Sequence, residues 1–171
     1  MRAVPNFGTS KPVLDRFDVM LLNLVQRDDG RTAESLAGDV PLSPSAIARR
    51  LRRLRSGGWI ARTIALLSPR LVERRLRAIV VIQLAEHADL KGKAALLQRL
   101  ARANEVQFCY EITGPNDLLA LIDCDSMHAF NAVADRILSA DPIVRRYETH
   151  FVKREVKFEP FVQLDPGDRA A

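Results

Sequence analysis

Five arginines stand close together in the first half of the chain, at Arg49, Arg50, Arg52, Arg53 and Arg55. No acidic residue occurs within residues 44–58. The whole chain of 171 residues has a formal net charge of +5, so this one segment accounts for all of it. So dense a group of cations at one place predicts binding to a polyanion.

The arginines lie in a segment that has the signals of a short amphipathic helix. Ser43 can cap its start, Pro44 fits the first helical position, and Gly57-Gly58 supplies the stop. An apolar stripe at helical spacing is formed by Ile47, Leu51 and Leu54. At about 100° per residue, the opposite side carries Ser45, Arg49, Arg52, Arg53 and Ser56. A helix that is buried on one side and cationic on the other suits the major groove of DNA.

Position along this helix predicts what each side chain contacts. Phosphate contacts supply most of the affinity for DNA, and contacts to base edges supply specificity. Because residues near the start of such a helix usually reach bases, we expect Ser45 and Arg49 to do so, with Ser43 beside them. The later arginines are better placed for phosphates: Arg52, Arg53 and Arg55. Arg50 lies beside the apolar stripe, where it could bind phosphate or pair within the protein.

Positive charge is concentrated in the first half of the chain. Residues 1–77 contain 15 Lys and Arg against 7 Asp and Glu, whereas residues 78–171 contain 11 against 14. This asymmetry indicates a polyanion-binding module joined to a second module.

Several other classes of protein find no support in the sequence. No apolar run approaches the ~18 residues of a membrane span, and residues 1–12 have no apolar signal-peptide core. Two cysteines without an export signal favour a reducing compartment. Cys109 and Cys124 are not at metal-ligand spacing, the three histidines are scattered, and there is no glycine-rich phosphate loop. We therefore expect a cytoplasmic protein without a metal or cofactor.

The residues before the arginine helix predict a helix-turn-helix arrangement. A first helix is expected from about Asp15, with Asp18 also near its positive end, and a short second helix from Thr32. A tight turn at Val40-Pro41-Leu42 leads into the arginine helix. Residues 59–67 favour extended structure, as a small wing or a linker strand.

From Ala78 the hydrophobic period changes to that of a βαββαβ unit. The expected elements are strand 78–84, helix 89–103, strands 106–113 and 118–124, helix 125–140 and strand 144–158. A hairpin turn at residues 114–117 would place Cys109 opposite Ile122. The predicted fold class is α+β, with a helix-turn-helix domain, winged or simple, followed by a ferredoxin-like αβ-plait domain. The expected divisions are a tail at 1–13, the helix-turn-helix domain at 14–62, a linker at 63–77, the αβ-plait domain at 78–161 and a tail at 162–171.

Short motifs follow one another along nearly the whole chain. The first domain contains Leu14-Asp15-x-x-Asp18, Gly30-Arg31, Leu36-Ala37, Leu42-Ser43-Pro44-Ser45 and Arg50-Leu51-x-x-Leu54-x-x-x-Gly58-x-Ile60. The second contains Cys109-Tyr110-x-x-Thr113-Gly114-x-x-Asp117 and Glu155-Val156-Lys157. In this order they resemble the Lrp/AsnC family, the leucine-responsive and asparagine regulators of bacteria and archaea. The resemblance implies a DNA-binding transcriptional regulator whose αβ-plait domain senses amino acids and drives assembly into homodimers, which associate further to tetramers or octamers.

The resemblance also implies an effector pocket at the middle hairpin, and we expect it to lie between subunits. Asp117 would accept a hydrogen bond from the ammonium group of an amino acid, and backbone N–H groups at Gly114 would donate to its carboxylate. Thr149 would add a hydroxyl, and Tyr147 would reshape the side-chain end of the pocket. From composition alone, however, Gly, Pro, Asn and Asp are ordinary turn residues.

The sequence departs from the family pattern at three places. Pro41 stands where family members usually carry glycine in the helix-turn-helix turn. Because proline keeps φ near −65°, Gly38 or Asp39 is expected to supply a left-handed residue there. The Asp28-Asp29-Gly30 loop has one residue more than usual, and Tyr147 replaces a small hydroxyl residue.

Two other functions stay open at this point. A nucleoid-type architectural protein would use the same basic helix with weak sequence preference. An enzyme similar to the siroheme decarboxylases would use the same two-domain scaffold, but residues 111–120 lack the aromatic and His-Asn-Tyr-type residues of those enzymes. We therefore expect a regulator rather than an enzyme.

Overall fold

The computed structural model describes residues 14–85 and 90–165. This part of the chain divides into two compact units. The first unit contains residues 14–66 together with 157–165, and the second contains residues 67–85 and 90–156. The predicted tail at 1–13 and positions 166–171 lie outside the described residues.

Three helices build the described part of the first unit: α1 at Arg16–Val25, α2 at Ala33–Leu36 and α3 at Pro44–Ser56. A short polar side chain caps the start of each helix by accepting hydrogen bonds from free backbone N–H groups: Asp15, Thr32 and Ser43. The apolar sides of the helices meet in one core, formed by Leu21, Leu22, Val25, Leu36, Val40, Ile47, Leu51 and Leu54. The predicted helix-turn-helix arrangement is confirmed.

The turn before α3 is built around Pro41. The Leu42 N–H donates to the Val40 carbonyl at 2.7 Å, which closes a three-residue turn with Pro41 at its centre. Such an inverse γ-turn needs φ near −75° at its central residue, and proline meets that need without strain. Gly38 does not have a left-handed φ. Of the two predicted candidates, Gly38 is therefore not the left-handed residue, and the expectation for Asp39 stays a prediction.

Two glycines end α3 in a Schellman motif. Gly58 has φ of 74°, while the Gly58 N–H donates to the Arg55 carbonyl at 3.1 Å and the Trp59 N–H to the Leu54 carbonyl at 3.0 Å. Residues 61–68 then have neither helical structure nor strand pairing with the described chain, and one helical turn follows as α4, Pro69–Val72.

A four-stranded antiparallel sheet forms the second unit, with β1 at Leu76–Leu84, β2 at Val106–Glu111, β3 at Leu118–Cys124 and β4 at Val144–Phe151. The strand order is β2-β3-β1-β4. Two helices cover one face: α5 at Leu90–Arg102 and α6 at Met127–Ala134, which continues into a π-helical turn at Asp135–Ser139. This βαββαβ order confirms the predicted fold class.

Alternate residues of the central strands point to opposite faces of the sheet. The inner face packs Ala78, Val80 and Ile82 against the helices. The outer face carries a separate row of large side chains: Ile79, Val81, Phe108, Tyr110, Leu119 and Leu121. Tyr110 is 61% exposed, so apolar surface on this face is open to solvent in a single chain.

The details of two strands differ from the predictions. Cys109 lies opposite Ala120 rather than Ile122, because the Ile112 N–H donates to the Asp117 carbonyl and closes the hairpin one residue earlier along the chain. Strand β4 ends at Phe151 rather than at 158, since the β1–β4 pairing ends at Ala78 and Phe151. The predicted register and the predicted end of the last strand are both wrong.

A segment near the end of the chain packs on α1 within the first unit. The Asn23 side-chain amide donates to the Leu164 carbonyl at 2.9 Å, and its oxygen accepts from the Leu164 N–H at 2.9 Å. The Gln26 amide makes the same pair of bonds with Val162, at 2.6 and 3.0 Å. Leu164 also packs against the core of the first unit, so residues 162–165 form a strap that extends this unit.

Candidate nucleic-acid interface

Helix α3 presents a polar face on the side opposite its buried stripe. Ile47, Leu51 and Leu54 are buried in the core. Ser43 accepts from the Ala46 N–H at 3.3 Å and shares a hydrogen bond of 3.2 Å with Ser45. The side chains exposed on this helix include all but one of the predicted DNA contacts: Ser43, Ser45, Arg49, Arg52, Arg53 and Arg55.

The five arginines differ in whether a carboxylate neutralises them. Arg50 donates to Asp15 at 2.7 Å and to Asp18 at 2.8 Å, while Arg53 donates to the second oxygen of Asp18. The residue Asp18 has no exposed surface. Of the two options for Arg50, the structure shows the pair within the protein, and it shows a similar pair for Arg53.

Arg55 has a partner in the loop between α1 and α2. It donates to Asp29 at 2.6 Å, and the other oxygen of Asp29 accepts from the Thr63 hydroxyl at 2.9 Å. The loop that is longer than the family pattern thus supplies a carboxylate that joins the end of α3 to the start of the predicted linker.

Two arginines of α3 have no carboxylate partner within the described chain. The side chains of Arg49 and Arg52 are exposed and make no hydrogen bond or ion pair with any residue of 14–85 or 90–165. Arg49 follows Ser45 by four residues, so the two side chains lie on one side of the helix. This surface therefore offers two free guanidinium groups and two hydroxyls to a ligand.

The ion pair between Asp15 and Arg50, at the start of α1, also shifts the pKa values of both groups. Burial alone would raise the pKa of Asp15, but the Asp18 N–H and the Arg50 guanidinium donate hydrogen bonds to it, and its pKa falls below the ordinary value of 3.8. The hydrogen bond to Asp15 raises the pKa of Arg50 in turn. Both groups are therefore charged at neutral pH, and the pair persists through the physiological range.

The predicted effector residues occupy two parts of the second unit. Gly114 has φ of 114°, and a Cβ atom there would meet nothing within 4 Å, so the backbone conformation requires glycine and the space beside it is open. The Asp117 carboxylate accepts from the Leu84 N–H at 2.8 Å, and this bond ties the hairpin to the end of β1. Lys93 pairs with Glu111 at 2.6 Å on the same hairpin, and this bond raises the pKa of Lys93.

Tyr147 and Thr149 lie two strands away from the hairpin. Tyr147 is paired with Ile82 and Thr149 with Val80, both on the inner face of β4. The Tyr147 hydroxyl shares a hydrogen bond of 3.1 Å with Ser139 of the π-helical turn. Since β1 separates β4 from β3, one chain does not bring these two residues into direct contact with Asp117.

The described residues contain no group of three or more His, Cys, Asp and Glu that could hold a metal ion. In the same part of the chain, no helix has the length and apolar character needed to cross a membrane.

Burial raises the pKa of both cysteine thiols, Cys109 and Cys124.

A helix-turn-helix unit whose last helix, α3, is cationic, joined to an αβ-plait unit, defines a class of transcription factor. Comparison with known proteins gives the family: residues 77–161 match the Lrp/AsnC ligand binding domain, and residues 14–61 match a winged helix-turn-helix DNA-binding domain. The chain belongs to the Lrp/AsnC family of transcriptional regulators.

Individual relatives agree with this assignment. An HTH-type transcriptional regulator of Sinorhizobium fredii is 34% identical over 84% of this chain and 85% of its own length. The leucine-responsive regulatory protein of Salmonella typhimurium is 32% identical over 84% of this chain and 87% of its own. A transcriptional regulator of Neisseria meningitidis, solved as a complex with L-methionine, has a TM-score of 0.77 at 27% identity and covers 90% of this chain and 97% of its own. These relatives are regulators, which agrees with the expectation that the chain is not an enzyme.

The sequence patterns missed the three aspartates that neutralise the arginines. Asp15 and Asp18 were assigned only to the positive end of α1, and Asp29 only to a loop. One signal could have found two of them, Asp15 and Asp18. The motif Leu14-Asp15-x-x-Asp18 puts two carboxylates on the first turn of α1, and α3 must pack against α1 to form the unit.

Proposed function

We propose that this protein regulates transcription as a homodimer that places α3 of each subunit in the major groove of an operator. The observation that carries the proposal is the one-sided polar surface of α3, where Arg49 and Arg52 are exposed and uncompensated while the apolar side is buried. Two such helices would contact half-sites about 34 Å apart, or a multiple of that spacing. Because the target is DNA, the protein would act in the cytoplasm.

The second part of the proposal is control by an amino acid or a related metabolite. A complex of the Neisseria meningitidis relative with L-methionine supports it. In this chain the hairpin residues Gly114 and Asp117 offer open backbone and a carboxylate, with Tyr147 and Thr149 on β4. Since Asp117 already accepts from the Leu84 N–H through one oxygen, its second oxygen would take the ligand's ammonium group. The ligand would act by binding one assembly state more tightly than another.

A gel-shift assay with operator DNA tests the first part. Changing all five arginines of α3 to alanine should abolish binding, and Arg49→Ala alone should also relax base preference. Arg70→Ala, an exposed arginine outside α3, is the matched control and should bind as the wild type does. Unchanged binding by a folded five-alanine variant would rule out α3 as the DNA surface. Footprinting would separate a local regulator from an architectural protein that covers DNA without preference.

Calorimetric titration with the twenty amino acids tests the second part. Asp117→Asn is the sharper variant, because an asparagine oxygen can still accept from the Leu84 N–H while the negative charge is lost. We expect one amino acid to bind the wild type and to bind Asp117→Asn at least tenfold more weakly, as for the loss of a charge-assisted bond of about 1.5 kcal/mol or more. Equal binding by both proteins would contradict the role of Asp117.

A further inference from the structure

We propose that Asp18 is a positioning residue that holds Arg50 and Arg53 against the body of the helix-turn-helix unit, so that DNA phosphates meet Arg52 and Arg49 instead. This inference rests on the proposed function of α3. It separates Arg52 from Arg53, two neighbours to which the sequence assigns the same role.

The first argument is the burial of Asp18. Its side chain is 1% exposed, although a carboxylate is among the groups that are most costly to remove from water. Its oxygens accept from Arg50 at 2.8 Å, from the Asp15 N–H at 3.2 Å and from Arg53. Water cannot replace a bond that is lost at this position, so an arginine that left Asp18 for a phosphate would leave a buried charge undersolvated.

The second argument is the net charge of the cluster. Asp15 and Asp18 face Arg50 and Arg53, so two carboxylates balance two guanidinium groups within one group of contacts. A phosphate that approaches a neutral cluster gains little Coulomb energy and displaces few counterions. Arg52 stands next to Arg53 in the sequence, is exposed, and has no carboxylate partner within the described chain.

The third argument is that the ion pairs of Asp18 hold α3 against α1. Asp18 lies in the first turn of α1, whereas Arg50 and Arg53 lie one turn apart on α3, so the carboxylate joins the two helices at two points. Phe17 adds a further contact, since the Arg50 guanidinium lies 5.6 Å from its ring centre. Asp18 thereby determines both the orientation of α3 and which of its charges are free.

The test compares neighbouring arginines by the salt dependence of binding to a duplex of random sequence. Arg52→Ala should flatten the slope of log affinity against log salt by about 0.9 per subunit, whereas Arg53→Ala should leave the slope at the wild-type value. Asp18→Asn, which keeps the shape but not the charge, should steepen the slope by up to about 0.9 for each released arginine. In the double variant Asp18→Asn with Arg53→Ala, part of that increase should disappear.

The slope separates positioning from a merely structural role, because loss of stability lowers the folded fraction at every salt concentration and leaves the slope unchanged. Circular dichroism would verify that each variant is folded, and Arg53→Ala decides the question even if Asp18→Asn does not fold. Equal flattening by Arg53→Ala and Arg52→Ala would overturn the role of Asp18 while leaving α3 as the DNA surface. If Arg49→Ala, Arg52→Ala and the five-alanine variant all kept the wild-type affinity and the wild-type slope, the proposed function would be overturned as well.

Discussion

At the scale of single residues, the arginine helix shows which part of a charged surface a sequence can predict. Spacing alone predicts the buried stripe of α3 and the exposure of Arg49 and Arg52, since both follow from helical geometry. The ion partners of Arg50 and Arg55 lie 35 and 26 positions away in the sequence, on α1 and its following loop. No local pattern encodes such contacts, because they depend on how the helices pack. The base and phosphate contacts assigned from the sequence stay predictions.

The first prediction concerns acid stability. The pKa of Asp15 in the folded protein lies below its ordinary value of 3.8, so its ionised form stabilises the fold above that pH. This stabilisation should be lost as the pH falls below about 4 and through the folded pKa. Because the Asp15 side chain is 46% exposed, solvent screening should hold the effect below about 1 kcal/mol.

Urea unfolding of wild type and Asp15→Asn from pH 7 to pH 2 measures this contribution. Asparagine still caps α1, so the variant should be less stable at pH 6 and equal to the wild type near pH 2. Adding Arg50→Gln to both proteins should shrink the difference at pH 6. A constant difference at all pH values would show that charge on Asp15 has no part in it.

At the scale of elements, composition and period predicted every described helix and strand except the short α4, while tertiary contacts set where they end. The βαββαβ order follows from hydrophobic period, and β3 has the predicted bounds. Strand β4 ends at Phe151, and one more backbone hydrogen bond, from the Val152 N–H to the Arg77 carbonyl, follows the last residue pair, Ala78 with Phe151. The turn at Pro41 shows a second limit, since the sequence did not predict the hydrogen bond from the Leu42 N–H to the Val40 carbonyl that closes this turn.

The second prediction concerns the end of α3. Gly58 has φ of 74°, a conformation in which a Cβ atom crowds the following carbonyl oxygen. Gly58→Ala should therefore destabilise the first unit by about 1 kcal/mol, measured by chemical unfolding. Gly58→Asn is the matched control, because asparagine tolerates this conformation better and should cost less. Equal losses for alanine and asparagine would show that the space at this position matters more than the backbone angle.

The third prediction concerns the strap formed by residues 162–165. Asn23 exchanges two hydrogen bonds with Leu164, each worth about 0.5–1.5 kcal/mol net. Asn23→Ala should lower the free energy of unfolding by about 1–2 kcal/mol in the full chain. The same substitution should cost much less in a chain that ends at Pro160, where the partner is missing.

This comparison forms a double-mutant cycle whose coupling term isolates the contact between α1 and the strap. Thermal unfolding of the four proteins gives that term. Equal losses in the full and shortened chains would show that Asn23 stabilises α1 without the strap.

At the scale of the whole molecule, the sequence predicted two modules from charge asymmetry and a change of hydrophobic period, and the structure has two compact units. It did not predict that residues 157–165 belong to the first unit, because apolar residues scattered in a short segment without helical or strand period do not indicate which distant helix they pack on. Assembly is a property at this scale too. The outer face of the sheet has large side chains that one chain leaves partly open.

The last prediction is that a second copy of the chain covers this face. Val81 and Leu119 are paired neighbours at the centre of the sheet, on the face that α5 and α6 do not cover. Light scattering should give the wild type at micromolar concentration a mass of at least two chains. Leu119→Lys should give a folded monomer, because a lysine stem can lie along the sheet while its ammonium reaches water in one chain but not in a closed interface. Leu119→Met keeps the volume and apolar character, so this variant should stay a dimer.

The Leu119→Lys monomer should also bind a two-half-site operator more weakly than the dimer does, since linking two modules raises avidity without any new contact. A Leu119→Lys variant that scatters as the wild type does would place the subunit interface on another surface.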